Sequence, residues 1–137
     1  MKTLSAILLI AFSCGAVAEP PQRIVSLSPN LTEIVFALGL GDKVVGVSNT
    51  CDWPVEAKQK PKMGTFWQPN TEAIIAAKPD LVVCESFLQH KEVAETLKRA
   101  GINVLSLRVE SIEELYNAIT QIGQAAGCSD KAKENCQ

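Results

Sequence analysis

The chain has no excess of positive charge: 13 Lys and Arg stand against 15 Asp and Glu, for a net charge of −2. Nucleic acid and anionic membrane surfaces both select for a basic patch, so neither is an expected partner. Charges of both signs are mixed along the chain, with no like-charge block, low-complexity stretch or internal repeat. Chemistry-bearing residues are scarce. His90 is the single histidine and Tyr116 the single tyrosine, so no Ser-His-Asp arrangement has support beyond one ring. No G-x-S-x-G and no Walker A lysine occurs, and Gly39-Leu40-Gly41 follows a helical pattern where a dinucleotide loop would follow a strand. No CxxC occurs, which removes the usual signatures of a thioredoxin-like centre and a zinc knuckle. The expected protein is not an enzyme and needs neither metal nor cofactor of its own.

What is present begins with an export signal. Lys2 precedes an apolar run from Leu4 to Phe12, and Ala16-Val17-Ala18 offers the small residues a signal peptidase reads. The run falls short of the roughly 20 apolar residues that span a bilayer. The expectation is a signal peptide over residues 1–18, a mature chain from Glu19 and a periplasmic or secreted location. Lipidation at Cys14 is the alternative, although Ala11-Phe12-Ser13 lacks the usual leucine of a lipoprotein signal. Cys51, Cys84, Cys128 and Cys136 then remain, an even number with three possible pairings, none of which the sequence selects. Cys84 ends an apolar run and reads as a small buried hydrophobe.

Four short apolar runs read as strands: residues 24–27, 43–47, 81–84 and 103–107. None alternates cleanly with polar residues, as expected of strands covered on both faces. Helical patterns lie between them. The first begins at Ser28-Pro29-Asn30 and carries Leu31, Ile34, Val35 and Leu38 on one stripe. Asn70 caps the second, and the third runs from about Gln89 to Ala100, stopped by Gly101. Ser111 and Glu114 form a capping box for the fourth, whose expected buried face is Ile112, Leu115, Ile119 and Ile122. A last helix begins at Ser129. Alternating strands and helices imply an α/β fold with a parallel four-stranded sheet and right-handed crossovers.

In such sheets ligands sit beyond the carboxyl ends of the strands. Those ends are the segments 28–30, 48–54 and 85–90, with the irregular stretch 62–70 nearby. Both tryptophans, Trp53 and Trp67, fall in these loops, and Phe66 adjoins Trp67. Loop tryptophans at a ligand end read as contact residues, with local packing as the alternative. His90 reads as a solvated residue in the first turn of its helix, with an axial metal ligand as the alternative.

Several segments, in order, resemble the periplasmic binding proteins for vitamin B12 and iron chelates, the helical-backbone class that serves ABC importers. They are Ile24-Val25-Ser26-Leu27-Ser28-Pro29-Asn30 with Thr32-Glu33, Val45-Gly46-Val47-Ser48 with Cys51-Asp52-Trp53-Pro54, and Trp67-Gln68-Pro69-Asn70-Thr71-Glu72. Lys78-Pro79-Asp80-Leu81-Val82-Val83 and Ala100-Gly101-Ile102-Asn103-Val104 complete the set. The resemblance implies one lobe of a two-lobe fold, with residues 19–137 ending in the first turns of the helix that joins the lobes. It also implies a ligand, cobalamin first and haem or a siderophore next, held by Trp53, Trp67, Phe66, Ser28 and Asn30. Glu72 falls where the family places an acid that docks on the membrane permease. A separate chain supplying the second lobe is a further expected partner. Two other readings stand beside this one: a docking module without ligand, and an exported thiol-active protein using Cys51 and Cys84.

Overall fold

The computed structural model of the chain describes residues 19–136, so the expected signal peptide and Cys14 lie outside the described residues. Four parallel strands form one sheet: β1 (Ile24–Ser26), β2 (Val44–Val47), β3 (Leu81–Glu85) and β4 (Asn103–Leu107), in the order β2-β1-β3-β4. Five helices accompany them: α1 (Pro29–Ala37), α2 (Thr71–Ala76), α3 (Leu88–Arg99), α4 (Ile112–Ala125) and α5 (Ser129–Asn135).

Successive strand residues point to opposite faces, and here both faces are covered. Ile24 and Val83 pack with Leu31, Val35 and Ile122 in one layer. Val25 and Val82 pack with Ile74 and Leu97 in the other. Consecutive residues of one strand thus enter different layers, which is why the strands carry no polar alternation. Each fully buried Leu or Ile contributes about 1.5–3 kcal/mol. β4 departs from the expectation. It is the sheet edge and its Asn103 and Ser106 are exposed, because no further strand pairs beyond it.

The sequence Lys78-Pro79-Asp80 has a structural cause. Asp80 Oδ2 accepts the backbone N–H groups of Gln22 and Arg23 at 2.8 and 2.9 Å. Arg23 returns the contact, its guanidinium donating to the carbonyls of Ala77 and Lys78. The entries to β1 and β3 are therefore clamped side by side.

The expected caps form. Asn70 Oδ1 accepts from Ala73 N at 3.0 Å, and Ser111 Oγ from Glu114 N at 3.2 Å. The Glu114 carboxylate reaches the N–H of Glu110 rather than that of Ser111, so the box closes one residue early. The buried face of α4 also differs from expectation. Ile112 is 68% exposed, while Ala118 and Ile122 are buried and Leu115 and Ile119 half-buried. Among the described residues nothing covers Ile112 in the first turn of α4.

Candidate functional site at the carboxyl ends of the strands

The segment after β2 rests on a buried network of small polar groups. Thr32 Oγ1 lies 2.8 Å from Ser26 Oγ, 2.9 Å from the Ser28 carbonyl and 3.1 Å from Cys51 Sγ. The Ser28 carbonyl can only accept, so it takes the single hydroxyl proton, and Ser26 Oγ and Cys51 Sγ can donate to Thr32 Oγ1. Cys51 Sγ also meets Ser48 Oγ at 3.0 Å, and Lys62 Nζ donates to the Cys51 carbonyl. Buried polar networks that are fully satisfied hold a backbone in one arrangement.

Loop 62–70 turns sharply. Met63 N donates to the Val47 carbonyl, the Met63 carbonyl accepts from Asn70 N, and Asn49 N donates to the Gly64 carbonyl at 2.8 Å. Thr65 N donates to the Gln68 carbonyl, while Thr65 Oγ1 accepts from Gln68 N. Gly64 has φ +91°, a backbone region that favours glycine. The turn projects Phe66 and Trp67 over the strand ends. Phe66 meets Trp67, His90 and Phe87 edge-on, with ring centroids at 5.0, 4.9 and 5.8 Å.

His90 is 1% exposed, so the solvated reading is corrected. Its Nδ1 lies 3.0 Å from the Glu85 carbonyl and its Nε2 2.6 Å from the Phe66 carbonyl. It is a bracket between the end of β3 and the aromatic loop. Both ring nitrogens face backbone carbonyls, so neither is turned toward the concavity. Among the described residues no group of three or more His, Cys, Asp or Glu is placed to hold a metal ion.

These elements surround a concavity of about 490 Å³ lined by Pro29, Asn30, Thr50, Phe66, Trp67, Glu85 and Phe87. A larger one, about 620 Å³, lies at the opposite end of the sheet among Pro20, Pro21, Asp80, Asn103 and Gln124. The smaller is the candidate site, because it lies beyond the strand carboxyl ends and combines rigid aromatic walls with few polar groups. Of the residues expected from sequence, it gathers Asn30, Phe66 and Trp67. Trp67 is 68% exposed, its face open to solvent. Trp53, 64% exposed on the loop after β2, does not line this concavity. Ser28 is fully buried, and its Oγ accepts the N–H of Glu85 at 3.2 Å. Glu72 is exposed in the first turn of α2, two residues beyond the Asn70 cap. Thr50, Glu85 and Phe87 were not singled out by sequence, although all three lie in segments marked as strand ends.

The thiols occupy a different environment from a reactive pair. Among the described residues all four cysteines are free, with Cys51 and Cys84 buried and Cys128 and Cys136 half-buried at the two ends of α5. Burial pushes the Cys84 thiol up from its ordinary range, against weaker opposing effects of the Ser106 hydrogen bond and Lys98. A buried thiol without thiolate character is inert. In the folded protein Cys51 and Cys84 are expected to react with a disulfide reagent about a hundredfold or more slower than after unfolding in guanidinium, because access requires opening of the core. Prompt modification of either in the folded state would restore the thiol-active reading.

A family model described as periplasmic binding protein matches residues 24–137. An uncharacterized ABC transporter substrate-binding lipoprotein of Bacillus subtilis, YvrC, is 42% identical over 121 residues, covering 86% of this chain and 38% of the relative. The vitamin B12-binding protein of Vibrio vulnificus is 37% identical over 124 residues, covering 90% of this chain and 45% of the relative. Among solved structures, a periplasmic heme binding protein from Pseudomonas aeruginosa superposes with a TM-score of 0.78 at 32% identity, covering 83% of this chain and 41% of that one. The chain spans less than half the length of each of these proteins.

Proposed function

The chain belongs to the periplasmic binding protein family, and from that premise we propose that it forms a ligand-holding lobe of the substrate-binding component of an ABC importer. The ligand class is a large, partly planar metal chelate, cobalamin first and haem second. The observation that carries this is the pairing of an open Trp67 face with the Phe66–Phe87–His90 cluster behind it, at the carboxyl ends of a parallel sheet. Rigid aromatic faces hold large flat ligands at little cost in conformational freedom. The vitamin B12-binding relative supports cobalamin, and the heme binding protein supports haem as the second reading. Glu72, exposed and close in sequence to the aromatic loop, would meet an arginine of the membrane permease. A second lobe, on the same or another chain, would close the open side of the site. No catalytic step is assigned, and the relatives named above are binding proteins.

The test is calorimetric titration of the protein with cyanocobalamin and with haemin. Saturable binding of one is expected, weakened by about tenfold in Trp67→Ala, because stacking on one exposed ring is worth roughly 1–2 kcal/mol. Glu72→Ala should leave that affinity unchanged while lowering stimulation of the permease ATPase. Failure of a folded protein to bind either ligand would sink the proposal.

A further inference from the structure

Glu85 ends β3 and is only 9% exposed as a residue. A buried carboxylate is costly unless it is paired or hydrogen-bonded. Among the described residues, nothing donates to this one and no cation pairs with it. Arg108, which shares an adjoining hollow, is engaged by Glu110 and Glu114. Lys91 and Lys98 border a second hollow beside it without forming an ion pair to Glu85. The carboxylate is also not sealed in, since no unpartnered side-chain oxygen is fully shut from solvent. Glu85 is one of the residues that line the candidate site.

The backbone around it is fixed on both sides. Its N–H donates to Ser28 Oγ at 3.2 Å, and its carbonyl faces His90 Nδ1 at 3.0 Å. The next residue, Ser86, donates to the Leu107 carbonyl at 2.7 Å. A buried acid without an internal partner is therefore held rigidly at the wall of an aromatic concavity.

We infer that Glu85 selects the ligand by its edge chemistry: its carboxylate accepts an N–H group, amide or amine, from the ligand rim and repels a rim carboxylate. The inference rests on the ligand-holding reading above and refines it. Corrinoids carry carboxamides around the ring, whereas haem carries propionates and many siderophores carry carboxylates. Aromatic walls hold all of these, so they choose little among them. A carboxylate acceptor on a fixed stretch of backbone distinguishes donors from anions much more sharply.

The experiment compares cyanocobalamin with its hydrolysed form, in which the rim amides are carboxylates, on the same protein and on Glu85→Gln. Wild type should prefer the amide form by about tenfold to a hundredfold, the range of a charge-assisted hydrogen bond. Glu85→Gln should lose most of that preference, chiefly by gaining affinity for the carboxylate form. Without ligand, Glu85→Gln should melt no lower than wild type, because among the described residues nothing pairs with the carboxylate. An unchanged preference in Glu85→Gln would overturn the role of Glu85 and leave the site intact. A lower melting temperature would mean that the carboxylate has a structural partner, and would overturn it too. Absence of binding of either form by folded wild type would overturn the site itself.

Discussion

Gly64→Ala is expected to lower the thermal midpoint by on the order of 10 °C and to displace the aromatic wall formed by Phe66 and Trp67. A Cβ at this position would lie 2.5 Å from Asn70 N and 2.6 Å from the Gln68 carbonyl oxygen. Both are backbone atoms and cannot swing aside as a side chain would. The φ of +91° adds strain for any residue bearing a Cβ. Together these effects cost about 3 kcal/mol, which for a chain of this size gives the stated shift. The turn can escape only by opening, and opening releases the bond from Asn49 N to the Gly64 carbonyl that fixes it to the loop after β2. Thermal melting followed by circular dichroism reads the stability, and tryptophan emission reads the displaced Trp67. A variant melting within 2–3 °C of wild type (roughly the spread of a neutral surface change) would show that the loop tolerates a methyl group there.

His90→Ala is expected to destabilise by a similar amount, about 2–4 kcal/mol, by a different route. It removes the ring whose nitrogens face the Glu85 and Phe66 carbonyls and leaves a cavity where the ring met Phe66. The loss should be local first. Hydrogen exchange ought to speed up over residues 64–70 and 85–90 more than in the central strands, because the bracket joins those two segments. His90→Gln keeps one side-chain donor and should recover part of the stability. Equal protection in wild type and His90→Ala would mean that the ring fills space without holding the loop.

The α/β class was legible because the strands' physical environment is written into their composition. Runs such as Leu81-Val82-Val83-Cys84 have no polar face, and only a sheet covered on both sides accommodates them. Asn70 and Ser111 were legible as caps because their function is local, satisfied by an N–H three residues away. Trp53 and Trp67 stood out because the periodic segments had no place for them. The errors were non-local. Ile112 fits the helical stripe of α4, but whether a stripe position meets the sheet depends on where the sheet ends. His90 looks like an ordinary polar residue of a first turn, and its burial depends on Phe66, 24 residues earlier. Glu85 extends an apolar run by one acid, which sequence alone reads as the run's end. Only the fold brings it to a wall shared with Phe66 and Trp67.

The clamp between Asp80 and the backbone of Gln22 and Arg23 fixes more than two strands. It determines the side from which the polypeptide enters the domain. Whatever precedes Gln22 leaves from the amino end of the sheet, while Trp67 and the start of α2 occupy the other pole. A leash attached upstream would therefore moor the domain by its back, with the aromatic concavity and the start of α2 both turned outward. The orientation of that pole would follow from chain direction alone, without any contact dedicated to it.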